Sequence, residues 1–292
     1  MIKFIAILLT VYNRKEQTLI CLKNIYEQYI PGNYKIQVYL TDDGCTDGTP
    51  ESIRIKFPQV HVIKGNGNLF WNRGMWTAWN AAIKDQQYDY FLWLNDDTNT
   101  YPQMLSSLIE ASESKENKAI IVGATVDTSR QNIQTYGGRK NKELVPLNGK
   151  LQKCDTFNGN IVLIPNYVYK QLGCNDPYFQ HSFGDLDYGM KASKAHIAIY
   201  QYGKAVGECD RHEHIMQWAD PKIYLANRWK NLFQPTGFPP KEVFYFNKKH
   251  YGITVAILRV ITTLTRCLFP NLWIKLNKAG HNYEVLNHHT PS

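Results

Sequence analysis

The sequence predicts an α/β protein built on a mostly parallel central sheet with helices on both faces. Two observations carry that expectation. Short, uninterrupted apolar runs alternate with helix-period stretches over the first hundred residues, and strands that are apolar on both sides belong to a sheet covered on both sides. Each run also ends in a polar segment bearing Asn, Asp or Gly. In such sheets ligands bind beyond the carboxyl ends of the strands.

Residues 4–9 (FIAILL) read as the first strand. Only Lys3 precedes this short apolar run, and no small-residue cleavage site follows it, so a strand fits better than a signal peptide. Residues 15–29 carry Leu19, Leu22, Ile25, Tyr26 and Tyr29 at helical spacing. A second strand is expected at 36–40, then a short helix at 49–57 with Thr49 as N-cap and Pro50 at its first position. Further strands are expected at 60–63 and 90–94 (YFLWL), with a helix over 74–84 between them. Beyond residue 119 the pattern changes. Strands are expected at 119–126 and 159–165, and the polar span 127–155 reads as a hairpin excursion or a mobile loop. A helix start, a short helix and a strand follow over 183–203, then an aromatic, partly helical segment (212–240) and a basic, apolar tail (243–276). We expect residues 1–210 to form the main domain and 211–292 a helical extension.

The 292 residues, 43% hydrophobic, suffice for one large α/β domain with an appended piece. A formal charge of +8 suits anionic partners, but no nucleic-acid recognition module is present, so nucleic acid is not an expected one. Six scattered cysteines without a CxxC pair read as reduced thiols in a cytosolic protein. No stretch reaches the roughly 18 apolar residues of a spanning helix.

Four polar segments should share one rim of the sheet: 10–14 (TVYNR), 41–49 (TDDGCTDGT), 65–74 (GNGNLFWNRG) and 95–98 (NDDT). Asp96 and Asp97 end a buried strand, and adjacent like charges there need a cation or water. Two such carboxylates offer the hard oxygens that Mg²⁺ or Mn²⁺ prefers; the plain alternative is a solvated turn capping the next helix. Asp42 and Asp43 precede Gly44, where an Asp can accept a hydrogen bond from the imide N–H of a uracil-like base, or simply make a turn. Trp71, beside Asn72, is the expected sugar-stacking residue, Arg73 is a candidate to bind the sugar or diphosphate, and Trp93, inside a strand, is expected in the core.

Together with "FGDLDYGMKA" (183–192), these motifs come in the order and rough spacing of the family 2 glycosyltransferases. The chain resembles that family over about residues 4–205. The resemblance implies the GT-A nucleotide-diphospho-sugar transferase fold and inverting, metal-dependent sugar transfer. The tract 65–82 also resembles the bacterial rhamnosyltransferase-like branch, whose members build surface polysaccharides. The resemblance implies that Thr10 and Tyr12 border the nucleobase, Asp43 holds its edge beside Asp42, Asp96 contacts ribose or metal, and Asp97 binds the metal. Asn95 stands where the family's Asp-x-Asp pattern has its first Asp. Asp185 matches the catalytic base, with Gly184 replacing the acid that usually precedes it, and Asp187 matches the Asp that orients the base. Both can also be read as helix caps. His212 and His214 are candidates to complete the metal shell, although an i, i+2 pair in extended chain points to opposite faces. Arg228, in a partial match to Gln-x-x-Arg-Trp with Leu225 at the Gln position, could meet the diphosphate, or could be a helix-surface arginine.

The resulting expectation is an inverting glycosyltransferase with a divalent cofactor, Mn²⁺ or Mg²⁺. Its donor is a UDP- or dTDP-sugar rather than a GDP-sugar, and its acceptor is an oligosaccharide or a lipid-linked molecule. The alternatives are a non-catalytic nucleotide-sugar or polysaccharide binding protein, and a sugar-phosphate nucleotidyltransferase. The latter would need a Gly-rich loop after the first strand, which "TVYNRKEQ" lacks. The tail 252–278 either packs as a core helix or lies in a membrane interface, with Arg259, Arg266, Lys275 and Lys278 meeting anionic lipid. The expected location is cytoplasmic, including the cytoplasmic face of the inner membrane.

Overall fold

The structure, a computed structural model, describes residues 2–210 and 216–278. The first half runs β1 (Lys3–Val11), α1 (Lys15–Tyr26), β2 (Tyr34–Asp42), α2 (Thr49–Lys56), β3 (His61–Lys64), α3 (Phe70–Asp85) and β4 (Tyr90–Leu94). It continues through β5 (Asn99–Thr100), α4 (Met104–Glu113) and β6 (Ile120–Val126). The polar span then folds into β7 (Gln134–Tyr136), β8 (Gly138–Lys140), β9 (Glu143–Leu144), β10 (Gln152–Cys154) and β11 (Thr156–Phe157). Next come β12 (Ile161–Pro165), α5 (Asn166–Leu172), α6 (Gly184–Lys194) and β13 (Ile199–Glu208). The chain closes with α7 (Leu225–Leu232), α8 (Pro240–Tyr251), α9 (Ile253–Leu268) and α10 (Pro270–Lys278).

The main sheet has the order β10-β13-β6-β12-β4-β1-β2-β3. The strands β3, β2, β1 and β4 are parallel, so their carboxyl ends, and the four polar segments, share one rim. Beyond β4 the sheet is mixed: β12 runs antiparallel to both β4 and β6. A separate small sheet joins β11, β8 and β9, which resolves the span 127–155 into hairpins.

Strand alternation distributes β1 between two cores. Ile5, Ile7 and Leu9 face α1 and α4 residues such as Leu22 and Leu105, whereas Ala6 and Leu8 face α3 residues such as Met75 and Trp79. Trp93 is fully buried, as its place in β4 predicts. A Cβ on Gly74 would stand 2.1 Å from Thr10 Oγ1, so only glycine lets α3 lie this close to β1. The helices after residue 216 dock through α8, whose Val243 and Phe246 pack on Phe179 and Phe183 ahead of α6. The helices α9 and α10 bend by 112° relative to each other, and among the described residues no single helix is long and apolar enough to cross a membrane.

Candidate active site

The rim brings Asp96 and Asp97 to the end of β4, and the chain itself supplies a cation. Arg14, just past β1, sets Nη1 2.5 Å from Asp97 Oδ2 and 3.2 Å from Asp96 Oδ1. Asp96 is buried and also accepts from Thr18 Oγ1 at 3.1 Å. Burial foremost, with the neighbouring Asp97, raises the Asp96 carboxyl to about 7 against the pull of Arg14 and the Thr18 hydroxyl. Asp97 is more open, with the Cys209 thiol 3.8 Å from its Oδ1. Burial pushes that thiol up to about 12, so without a metal Cys209 is a protonated neighbour of the carboxylate. Arg14 carried no assigned role in the sequence; its signal was that a rim bearing two carboxylates needs a nearby positive charge.

The Asn that departs from the family pattern has a defined use. Asn95 Oδ1 accepts from Trp71 Nε1 at 2.8 Å. Trp71 also lies against Gly159, where a Cβ would come within 2.6 Å of the indole ring. Gly159 N–H in turn donates to Asp185 Oδ2 at 3.0 Å, and Leu186 N–H to Asp185 Oδ1 at 2.7 Å. Thus Asn95, Trp71, Gly159 and Asp185 form one continuous wall from the carboxylate pair to the start of α6. Burial raises the Asp185 carboxyl above its ordinary value, opposed by those two N–H groups and by Arg139. Asp185 opens onto a cavity of about 810 Å³ between α6, the small sheet and the C-terminal helices, a size suited to a sizeable ligand.

A second lock holds α6 to the rim. Asn72 donates to the carbonyls of Asp176 and Phe179 at 2.8 and 2.7 Å. A Cβ on Gly184 would sit 1.9 Å from Asn72 Oδ1. The glycine that replaces the usual acid before the base therefore gives the backbone room beside Asn72.

Several sequence expectations are corrected here. Asp43 is buried, and its two oxygens accept from Gly67, Leu69 and Phe70 N–H at 2.8–3.1 Å. Its carboxylate anchors the loop into α3 rather than a base edge. Asp42 accepts from Cys45 N–H at 2.8 Å through Oδ1, and the Cys45 thiol also donates to its carboxylate. Arg73 donates to the carbonyls of Pro177 and Tyr178 at 2.9 and 3.2 Å, so its fork clamps a loop instead of a diphosphate. Asp187 is buried and bound by Lys249 Nζ at 2.8 Å and His250 Nε2 at 2.7 Å. It ties α6 to α8 and does not orient Asp185. Arg228 donates to the carbonyls of Cys267 (2.9 Å), Ile223 and Leu268. It caps the carboxyl end of α9, where positive charge is favoured, and does not reach the rim.

Tyr12 stands 59% exposed just past the end of β1, free to stack, and Thr10 packs against Gly74. His212 and His214 lie outside the described residues. Because Arg228 is structural, Arg228→Met should cost about 2 kcal/mol and lower Tm by several degrees with nucleotide affinity unchanged. A normal melt with lost nucleotide binding would return Arg228 to the site.

Among the described residues no group of three or more His, Cys, Asp or Glu is arranged to hold a metal. The carboxylate pair still fits one of the hard divalent ions, because such ions take one or two protein carboxylates and complete their shell with water and phosphate.

This sheet, with its polar rim, has the layout of the GT-A fold of glycosyltransferases. The computed structure is similar to TarS of S. aureus, residues 1–349 (TM-score 0.57, 14% identity, covering 97% of this chain and 93% of that one). It is also similar to the mannosyltransferase PcManGT of Pyrobaculum calidifontis, solved with GDP-Man and Mn²⁺ (TM-score 0.51, 15% identity, 95% and 79%). The family model for glycosyl transferase family 2 matches residues 6–170, and the chain belongs to that family. Two curated relatives are the uncharacterized glycosyltransferases RT0329 of Rickettsia typhi and RP339 of Rickettsia prowazekii, at 26% and 25% identity over 200 residues. That match covers 64% of this chain and 58% of each relative.

Proposed function

We propose that the protein is an inverting transferase that moves a sugar from a nucleoside diphosphate onto an acceptor hydroxyl, with Asp185 as base. The observation that carries this reading is the wall from Asp97 through Asn95, Trp71 and Gly159 to Asp185. It sets a diphosphate-facing carboxylate and a cavity-facing carboxylate on either side of an aromatic ring suited to a sugar. As the acceptor oxygen attacks the anomeric carbon, Asp185 takes its proton, and the bond to the diphosphate breaks with its electron pair leaving on the diphosphate. Gly159 and Leu186 N–H hold the carboxylate in place for that transfer. Asp97, with Asp96 behind it, would hold Mn²⁺ or Mg²⁺, which when bound neutralises charge developing on the leaving diphosphate. Arg14 balances the pair when no metal is there.

The donor reading favours a pyrimidine nucleotide, UDP or dTDP. It rests on the Asp42 carboxylate as acceptor for an imide N–H and on Tyr12 as a stacking face. Surface polysaccharide synthesis is the process this chemistry suits best. Titration calorimetry with UDP, dTDP, GDP and ADP, each with and without Mn²⁺, tests the donor site. We expect tight, Mn²⁺-dependent binding of one pyrimidine diphosphate. Preference for GDP would overturn the pyrimidine-nucleotide reading, and no binding to folded protein would overturn the transferase reading.

A further inference from the structure

The helix α9 presents three rows of side chains with different surroundings. Ala256, Thr263 and Cys267 are buried in the protein. Val255, Arg259, Thr262 and Arg266 line the 810 Å³ cavity onto which Asp185 opens. Ile253, Ile257, Ile261 and Leu268 are 57, 49, 53 and 38% exposed. At 100° per residue the cavity row and the exposed row stand on roughly opposite sides of the helix, and Leu258, also exposed, lies between them. Past the bend the apolar surface continues on Phe269 and on α10 at Leu272 and Leu276, which are half or more exposed.

The charge around this surface has one sign. Residues 243–278 contain Lys248, Arg259, Arg266, Lys275 and Lys278, besides Lys249, whose charge is taken by Asp176 and Asp187, and no Asp or Glu. An apolar helix face accompanied only by cations matches an anionic lipid surface, where side chains enter the acyl boundary and cations meet head groups. The 112° bend between α9 and α10 keeps the pair from being one straight span. On its inner side the cavity has apolar walls from Phe183, Met190, Trp218 and Phe246, and Arg139, Lys142, Lys194, Arg259 and Arg266 outnumber the carboxylates of Asp155 and Asp185.

We propose that the outer faces of α9 and α10 seat the protein on an anionic lipid surface, and that the cavity behind α9 receives the phosphate-bearing end of a lipid-linked acceptor. The second half rests on the transferase reading above. A lipid chain would run from the exposed face past Leu258 and round the helix to the Val255–Arg259–Thr262–Arg266 row, bringing its phosphate to the arginines and a hydroxyl of the sugar it carries toward Asp185.

Vesicle flotation tests the seat. The protein should float with vesicles of phosphatidylcholine mixed with phosphatidylglycerol and not with phosphatidylcholine alone, and high salt should release it. The double variant Ile257→Asp, Ile261→Asp should lose flotation with an unchanged melt, since both side chains face solvent. Flotation unaffected by that variant, or a self-association that the variant abolishes, would overturn the membrane seat, the latter in favour of a second copy. Titration with farnesyl phosphate, followed by tryptophan emission from Trp218 and Trp273 on the cavity wall, tests the cavity. Saturable binding is expected, weakened about tenfold or more by Arg259→Glu and absent for inorganic phosphate. Equal response to inorganic phosphate, or none to either, would overturn the lipid-linked acceptor. Neither readout uses sugar transfer, so failure here leaves the reaction itself standing.

Discussion

Asp185→Asn should lower sugar transfer by about two to four orders of magnitude, the usual worth of a positioned base, while donor binding by calorimetry stays unchanged. The amide can no longer take the acceptor proton, but it keeps the size of the side chain and one acceptor oxygen for Gly159 or Leu186 N–H. A melt confirms that the fold survives the loss of the other bond. The pH profile supplies an independent readout. Burial raises the Asp185 carboxyl, and a base must be ionised to work, so the wild-type rate should fall as pH drops through a value above the ordinary carboxylate range. That limb should vanish in the variant. Equal loss of donor binding and transfer would show that Asp185 holds structure rather than the proton.

The second large effect belongs to Asp97. Asp97→Asn should abolish the Mn²⁺-dependent part of nucleotide diphosphate affinity, because Asp97 is the more open carboxylate of the pair and Asp96 is enclosed by Thr18 and Arg14. The fold should persist, since Arg14 keeps its contact with Asp96. Wild-type affinity with an intact Mn²⁺ requirement would place the metal elsewhere.

The parallel half of the sheet and its rim were legible in the sequence because each strand is apolar on both faces and each ends in a polar break. Asp185 and Trp71 were singled out for different reasons, Asp185 by its motif's family resemblance and Trp71 as an aromatic face suited to a sugar ring, and the structure places both on one wall. Asp187, Arg73 and Arg228 were misread because a charged residue in a motif does not announce its partner. Lys249 and His250, which claim Asp187, lie more than sixty residues further along the chain. The carbonyls that claim Arg228 belong to a helix end that exists only once α9 has formed. Asp43 illustrates a related limit. An Asp before Gly can face a ligand or its own loop, and only the positions of Gly67, Leu69 and Phe70 decide for the loop. Arg14 was missed although the need for a cation was visible, because sequence distance hides that β1 and β4 are neighbours.

The antiparallel step in the sheet has one more effect. Asn95 N–H donates to Asn160 O at 3.0 Å, so the end of β4 and the start of β12 are held by main-chain pairing, and Gly159 N–H extends that hold to Asp185. The span between the two reacting ends of the site is thus measured out in peptide units. Side chains on either face of the sheet can change without altering that ruler.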